Sequence, residues 1–256
     1  MFKNVGLQLY SVRNHMEDLE GIRYTFKRLA EIGYTEIQTA GDFPCTVEEF
    51  MDAAKSNGLK VIGTHYSFPG DLNILDEYIS YHKALETTNA GVGGGASGKS
   101  KAELLAYIDS VNALGEKLAE HGMKFTYHHH SHEFGKIGGT RVIDYLVDGF
   151  DKKNVSFVLD TYWLSHAGCD VNLWIEKLAG RVDILHLKDK EVAFGSNDGH
   201  ITQVGSGNLD FASIIKTAEA TGVKHLCVEQ DTWPLGFDSI DCVKKSYDYL
   251  AKLLGL

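Results

Sequence analysis

Residues 29–38, LAEIGYTEIQ, close a helix-like segment on a glycine and begin a short apolar run at once. The same punctuation returns at AAKSNGLKVIG (53–63), KLAEHGMKFTY (117–127) and AEATGVKHLCVE (218–229), and again at LAGRVDILHL (178–187). Gly33, Gly58, Gly122, Gly180 and Gly222 thus stand where a left-handed residue ends a helix without a Cβ penalty. The segments before them carry helical periodicity: Ile22, Phe26, Leu29, Ala30 and Ile32 share one face, as do Leu104, Ile108, Val111, Leu114 and Leu118. The runs after them are short and rich in β-branched and aromatic residues, as strands are. Helix, glycine and strand in steady alternation imply βαβ crossovers and a parallel sheet.

The candidate strands are 5–10, 34–39, 59–65, 91–95, 123–130, 155–160, 182–188 and 225–230. Eight strands predict a closed (β/α)8 TIM barrel, a single domain over residues 1–256, with a doubly wound open sheet as the alternative. The fourth run, GVGGG (91–95), is the weakest, because its glycines lower strand propensity and leave little side chain to fill a barrel. It is read as a barrel strand or a strand-end loop. The following ASGKS lacks the spacing and the preceding strong strand of a phosphate-binding loop.

A chain of 256 residues, 43% hydrophobic, can bury a large core. Its 25 Lys+Arg against 35 Asp+Glu give a net charge of −10, which argues against nucleic acid as a partner. Four cysteines, none in a CxxC pair, suggest reduced thiols and no zinc knot. No stretch approaches the ~18 apolar residues of a membrane span, and the N-terminus lacks a signal-peptide pattern. The expectation is a soluble cytoplasmic protein with no membrane partner.

In a parallel barrel the active site lies at the C-terminal ends of the strands, and here those ends are polar. Strand one ends in Gln8 and Tyr10, two in Glu36 and Gln38, three in His65, five in YHHHSHEF (127–134), six in Asp160, seven in His186 and Lys188, eight in Glu229 and Asp231. Each alone has a structural explanation. Together, His128, Asp160, His186 and Glu229 on four consecutive strands bring nitrogen and carboxylate ligands to one rim, the donor set of a divalent ion such as Mn2+, Co2+, Mg2+ or Zn2+. Strand alternation turns His128 and His130 inward and Tyr127 and His129 outward, while an adventitious metal-binding surface is the rival reading of this histidine run. Lys188, two residues after His186, faces the same cavity and is suited to a substrate oxygen or developing negative charge. Gln8, Tyr10 and His65 are further substrate contacts, and Trp163 offers an apolar wall to a sugar face. Glu229 serves as ligand, base or both, with Glu133 or His130 as acid–base partner.

The ordered set LQLYSVR (7–13), YHHHSHEF, LDTYWLSHAGCD (159–170), HLKD (186–189), VGSGNLDF (204–211) and VEQD (228–231) resembles the xylose isomerase-like TIM-barrel superfamily of sugar isomerases, epimerases and related lyases along essentially the whole chain. The resemblance implies one metal ion, Mn2+ in the first instance, held by Glu, Asp, His and Glu from successive strands. Asp160, His186 and Glu229 match the last three. The first departs: His128 stands where a Glu is usual, so either His128 replaces it or Glu133 folds back to do so.

These readings predict a metal-dependent isomerase or epimerase that acts on a ketose, keto-sugar or sugar phosphate through an enediolate. A lyase eliminating a β-substituent from a 3-keto-glycoside or inosose is the alternative, and a sugar-binding barrel without catalysis is the second. A phosphodiesterase acting at abasic DNA would need a richer metal cluster and a basic groove. No unambiguous phosphate site is found. Association through helix faces into a homo-oligomer is a further expectation.

Overall fold

Eight parallel strands alternate with helices in the computed structural model, which describes residues 2–69 and 72–256. The strands are β1 (Gly6–Gln8), β2 (Glu36–Ala40), β3 (Lys60–His65), β4 (Asn89–Val92), β5 (Lys124–His128), β6 (Val155–Asp160), β7 (Val182–Leu187) and β8 (His225–Val228). Around them lie α1 (Leu19–Ile32), α2 (Val47–Ser56), α3 (Leu75–Ala84), α4 (Lys101–Ala119), α5 (Val142–Gly149), α6 (Thr161–His166), α7 (Val171–Lys177), α8 (Phe211–Thr221) and α9 (Ser239–Leu254). Short polar side chains start most of the helices: Thr46 and Ser100 form reciprocal capping boxes with Glu49 and Glu103. The five glycines that punctuate the sequence all have positive φ, from +68° at Gly58 to +122° at Gly33.

The strand order is β3-β2-β1-β8-β7-β6-β5-β4, all parallel. The first and last strands pair directly, Gly6 beside Cys227, so the sheet curls into a TIM barrel and the open doubly wound alternative is set aside. Most of the apolar core lies between sheet and helices. Inside the barrel a small layer of Ile62, Val158, Ile184 and Cys227 forms the floor on which the polar strand ends stand.

Three differences from the sequence reading bear on the site. The fourth strand is Asn89–Val92, so Gly93–Gly95 lie beyond its end. Gly91 is required by packing, since a Cβ there would come within 2.3 Å of Thr126 Oγ1 and 2.5 Å of the Thr64 carbonyl oxygen. The first strand stops at Gln8, whose side chain accepts the Tyr10 N–H and turns the chain into a 3-10 segment, Leu9–His15. Glu36 begins β2 rather than ending it, and its carboxylate meets His225 Nδ1 at 3.0 Å at the opposite end of the barrel.

The barrel closes between β3 and β4 largely through side chains. The Tyr66 N–H donates to the Gly91 carbonyl (2.8 Å), Asn89 Nδ2 donates to the Ile62 carbonyl (2.8 Å), and the Gly91 N–H donates to Thr64 Oγ1 (3.1 Å). The Thr64 hydroxyl then donates to Nε2 of fully buried His82 (2.9 Å), whose Nδ1–H donates to the Tyr78 carbonyl (2.7 Å). This relay needs a neutral imidazole, and burial holds His82 down to about 4 against the pull of its bond to Tyr78.

A folded-state value below the unfolded one means that stability is full above about pH 6.5 and is lost as pH falls toward 4, at about 1.4 kcal/mol per unit. Urea unfolding at pH 7.5 and pH 5.0 is therefore expected to cost the wild type about 2 kcal/mol more than His82→Gln, which keeps one donor and one acceptor. Equal pH dependence in the two proteins would remove His82 as the acid-sensitive element of the seam.

Candidate metal centre

Period-two alternation brings the polar strand ends together above the Ile62 layer. Asp160 lies beside His186 across β6 and β7, and His186 beside Cys227 across β7 and β8. His128, Asp160, His186 and Glu229 are all buried, and one ligand atom from each lies within 4.8 Å of the others. That spacing is close to what a first-row ion with bonds of about 2.1 Å requires of its donors. Asp160 has two tasks on separate oxygens: Oδ1 caps α6 by accepting the Trp163 N–H (2.9 Å), and Oδ2 faces His128 Nε2 at 3.4 Å and His186 Nδ1 at 3.8 Å.

Lys188, the residue after β7, is 1% exposed, so it is no solvated loop cation. Its ammonium reaches Asp160 Oδ2 (3.1 Å), Glu229 Oε2 (2.7 Å) and Asp231 Oδ1 (2.9 Å), and lies 5.2 Å from the Trp163 ring centroid. Thr161 holds its backbone, donating to the Lys188 carbonyl and accepting its N–H. Burial alone would raise the Asp160 and Glu229 carboxyls, but Lys188 and the histidines outweigh it and hold both well below the usual carboxylate range. Burial would lower the Lys188 ammonium, yet Asp160, Glu229 and Asp231 drive it up. For Asp231 burial and Glu229 win over Lys188, and its carboxyl is raised.

A chain of amides sets the proton on His186. The Tyr10 N–H donates to Gln8 Oε1 (3.1 Å), so Gln8 Nε2 is the donor to Gln38 Oε1 (3.0 Å). Gln38 Oε1 is then an acceptor, and His186 Nε2–H must donate to it (2.6 Å). The Nδ1 lone pair is left facing Glu229 Oε2 at 2.9 Å. Two acceptors so close require positive charge between them, and the same carboxylates push the His186 imidazole up despite its burial. A divalent cation meets that requirement, so the residues fit the metal that a set of two imidazoles and two carboxylates implies. His128 Nδ1, buried without a partner, leaves that ring free to present Nε2 to the cluster.

Above the cluster is a cavity of about 360 Å3 with two unlike walls. His65, His128 and His130 line the β3–β5 side, and Lys188, Glu229 and Asp231 the β7–β8 side, with Tyr10 at the mouth. The three imidazoles are held neutral chiefly by burial, His65 down to about 3. His65 Nδ1 accepts from Gln8 (3.2 Å), so its Nε2–H is a buried donor with no protein partner, suited to a substrate oxygen. Trp163 packs 5.2 Å from the His130 ring beside the same wall.

Two expected placements change. Gln8 is wholly buried beneath the cavity, where it orients Gln38 and His65 rather than meeting substrate. Glu133 does not fold back to the cluster: it sits in the turn after β5, accepting from the Tyr127 hydroxyl (2.8 Å) and the His130 N–H (2.8 Å), because those donors hold it on the outer side of the strand end. His129 and Gln38 emerge as supports to which strand alternation assigns no role. His129 Nδ1–H donates to the His130 carbonyl and Nε2 accepts the Asp160 N–H (3.1 Å), which fixes the backbone of Asp160. Asp189, the last residue of HLKD, accepts the N–H groups of Gly205, Gly207 and Leu209 and ties down the VGSGNLDF loop.

If Gln38 sets the His186 tautomer, Gln38→Leu should weaken Mn2+ binding about 10–100-fold in calorimetric titration while leaving the melting temperature near wild type. Unchanged affinity would mean that the amide relay has no part in the centre.

The match to known proteins covers most of the chain. Residues 26–253 fit the profile described as xylose isomerase-like TIM barrel. An inosose dehydratase of Geobacillus thermodenitrificans is 29% identical over 163 residues, 58% of this chain and 54% of that protein, so the chain spans about half the length of this curated relative. An inosose dehydratase of Salmonella agona is 23% identical over 91% of this chain and 90% of its own length. Among solved structures, a sugar phosphate isomerase/epimerase of Parabacteroides distasonis superposes with a TM-score of 0.80 at 22% identity, covering 97% of this chain and 93% of that one. With a strand-end His, Asp, His and Glu cluster at the place where the barrel opens, the chain belongs to the xylose isomerase-like TIM barrel family.

Proposed function

We propose that this protein enolises a small polyhydroxylated ketone, a keto-sugar or inosose, and completes the reaction by eliminating a β-hydroxyl or other β-substituent. The observation that carries the reading is the two-sided cavity: ionised carboxylate and ammonium on the β7–β8 side, neutral imidazoles of lowered basicity on the β3–β5 side. A two-base epimerase needs comparable acid–base groups on both faces of its substrate. The group expected to supply the second carboxylate, Glu133, is bonded elsewhere.

A divalent ion held by His128, Asp160, His186 and Glu229, Mn2+ in the first instance, would polarise the substrate carbonyl as a Lewis acid. Glu229 removes the proton from the carbon next to that carbonyl, and its electron pair moves into the new carbon–carbon double bond as the bond to the β-substituent breaks. The departing oxygen takes a proton from the Lys188–Asp231 pair on the same side. The His65 and His130 N–H groups hold substrate oxygens on the opposite wall, and Tyr10 and Trp163 contact its carbon face. Lys188, the only Lys or Arg lining the cavity among the described residues, is already held by three carboxylates, which favours an unphosphorylated substrate. The inosose dehydratase relatives support elimination.

A single base on one side can also return the proton to the neighbouring carbon of the same face, so aldose–ketose isomerisation is the second reading. The discriminating experiment incubates Mn2+-loaded protein with keto-sugars and inososes in D2O and follows product mass and ultraviolet absorbance. Elimination predicts loss of water or of the substituent and a new conjugated-enone band; isomerisation predicts deuterium uptake with no fragment lost. Glu229→Gln should slow either by about 10²–10⁴-fold. Binding without exchange or elimination would favour a non-catalytic sugar-binding barrel.

A further inference from the structure

The loop after β5 carries a second group of ligand-type side chains that the proposed reaction does not use as ligands. His130, His132 and Glu133 each offer one ligand atom within 4.8 Å of the others. Glu133 is fully buried, yet its partners are the Tyr127 hydroxyl and the His130 N–H at 2.8 Å and His132 Nε2 at 3.1 Å. Among the other buried carboxylates, Asp183 has Lys224 at 2.7 Å and Lys124 at 3.5 Å, Asp160 and Glu229 share Lys188, Glu36 meets His225, and Asp189 accepts four backbone N–H groups. No Lys or Arg ion pair is found for Glu133 among the described residues, although buried carboxylates ordinarily require a cation or a metal. His130 Nδ1 is moreover a buried nitrogen with no partner.

We infer that His130, His132 and Glu133 form a second divalent-cation site, separate from the strand-end centre. Two imidazole nitrogens and one carboxylate oxygen suit Zn2+ or Co2+ better than Mg2+, and three protein ligands leave a tetrahedral position for water. The His130 and His132 rings lie 5.2 Å apart and 12° from parallel. The site is open to solvent, since the His132 side chain is 46% exposed and a cavity of about 350 Å3 reaches His132 and Glu133 from the side of Lys99 and Lys136. The bound ion supplies the positive charge that Glu133 lacks. It also anchors His130, which lines the substrate cavity 4.8 Å from the His128 ring. The histidine run thus divides its work between two centres: His128 goes to one, His130 and His132 to the other, and His129 to neither.

Metal stoichiometry tests this independently of catalysis. Untagged protein is stripped with chelator, equilibrated with Zn2+, desalted and measured by elemental mass spectrometry, for wild type, His132→Ala, His132→Gln and His186→Ala, with near-ultraviolet circular dichroism as the check on folding. The inference expects two equivalents in the wild type and one in every variant. Substitution of Co2+ should add visible absorption with two components, one that persists in His186→Ala and is lost from both His132 variants, and one that behaves the opposite way. One equivalent in the wild type that both His132 variants keep, or two retained in folded His132→Ala and His132→Gln, would overturn the second site, and an adventitious surface ion would show as uptake that none of the variants changes.

Discussion

Asp160 and Glu229 are held almost out of water at the top of the barrel, and the need to balance their charge organises everything around them. Taking a carboxylate out of water has an effective cost of several kcal/mol even after relaxation, so opposite charge and directed hydrogen bonds must accompany it. Lys188 supplies the charge from within the chain, and His186 stands where either a proton or a metal ion completes it. The supports extend outward from that point. The Tyr10 amide orients Gln8, Gln8 orients Gln38, and Gln38 fixes the tautomer of His186. His129 pins the backbone of Asp160, and Thr161 pins that of Lys188.

The same charge distribution gives the cavity its two chemical characters. On the β7–β8 side ion pairing keeps Glu229 ionised and Lys188 protonated. On the β3–β5 side burial keeps imidazoles neutral, so they are hydrogen-bonding groups rather than strong bases. With His128 at the end of β5, the side of the cavity opposite Lys188 presents imidazoles and no carboxylate.

Much of the centre is legible in the sequence, because a strand has period two and a parallel barrel places every C-terminal strand end on one rim. Counting by twos puts Lys188 with His186 and separates His128 and His130 from His129, whatever the details of packing. Sequence and structure part where the chain leaves the strand and that period stops. Tyr10 and Glu133 both lie in 3-10 turns, whose directions follow local hydrogen bonds rather than strand alternation. Glu36 stands at the far end of β2 from the cavity, contrary to expectation, because only the pairing register tells where a short strand starts.

Local pattern alone therefore determined the barrel, its helix–glycine–strand rhythm and the residues that reach its open end, since each depends on spacing along the chain. Only the tertiary structure decided that Gln38 faces His186 across 148 positions, that His82 holds the β3–β4 seam, and that Glu133 is drawn into a pocket of its own. Hydrogen-bond partners and buried charge are properties of atoms brought together from distant segments, and no period along one segment encodes which of them will meet.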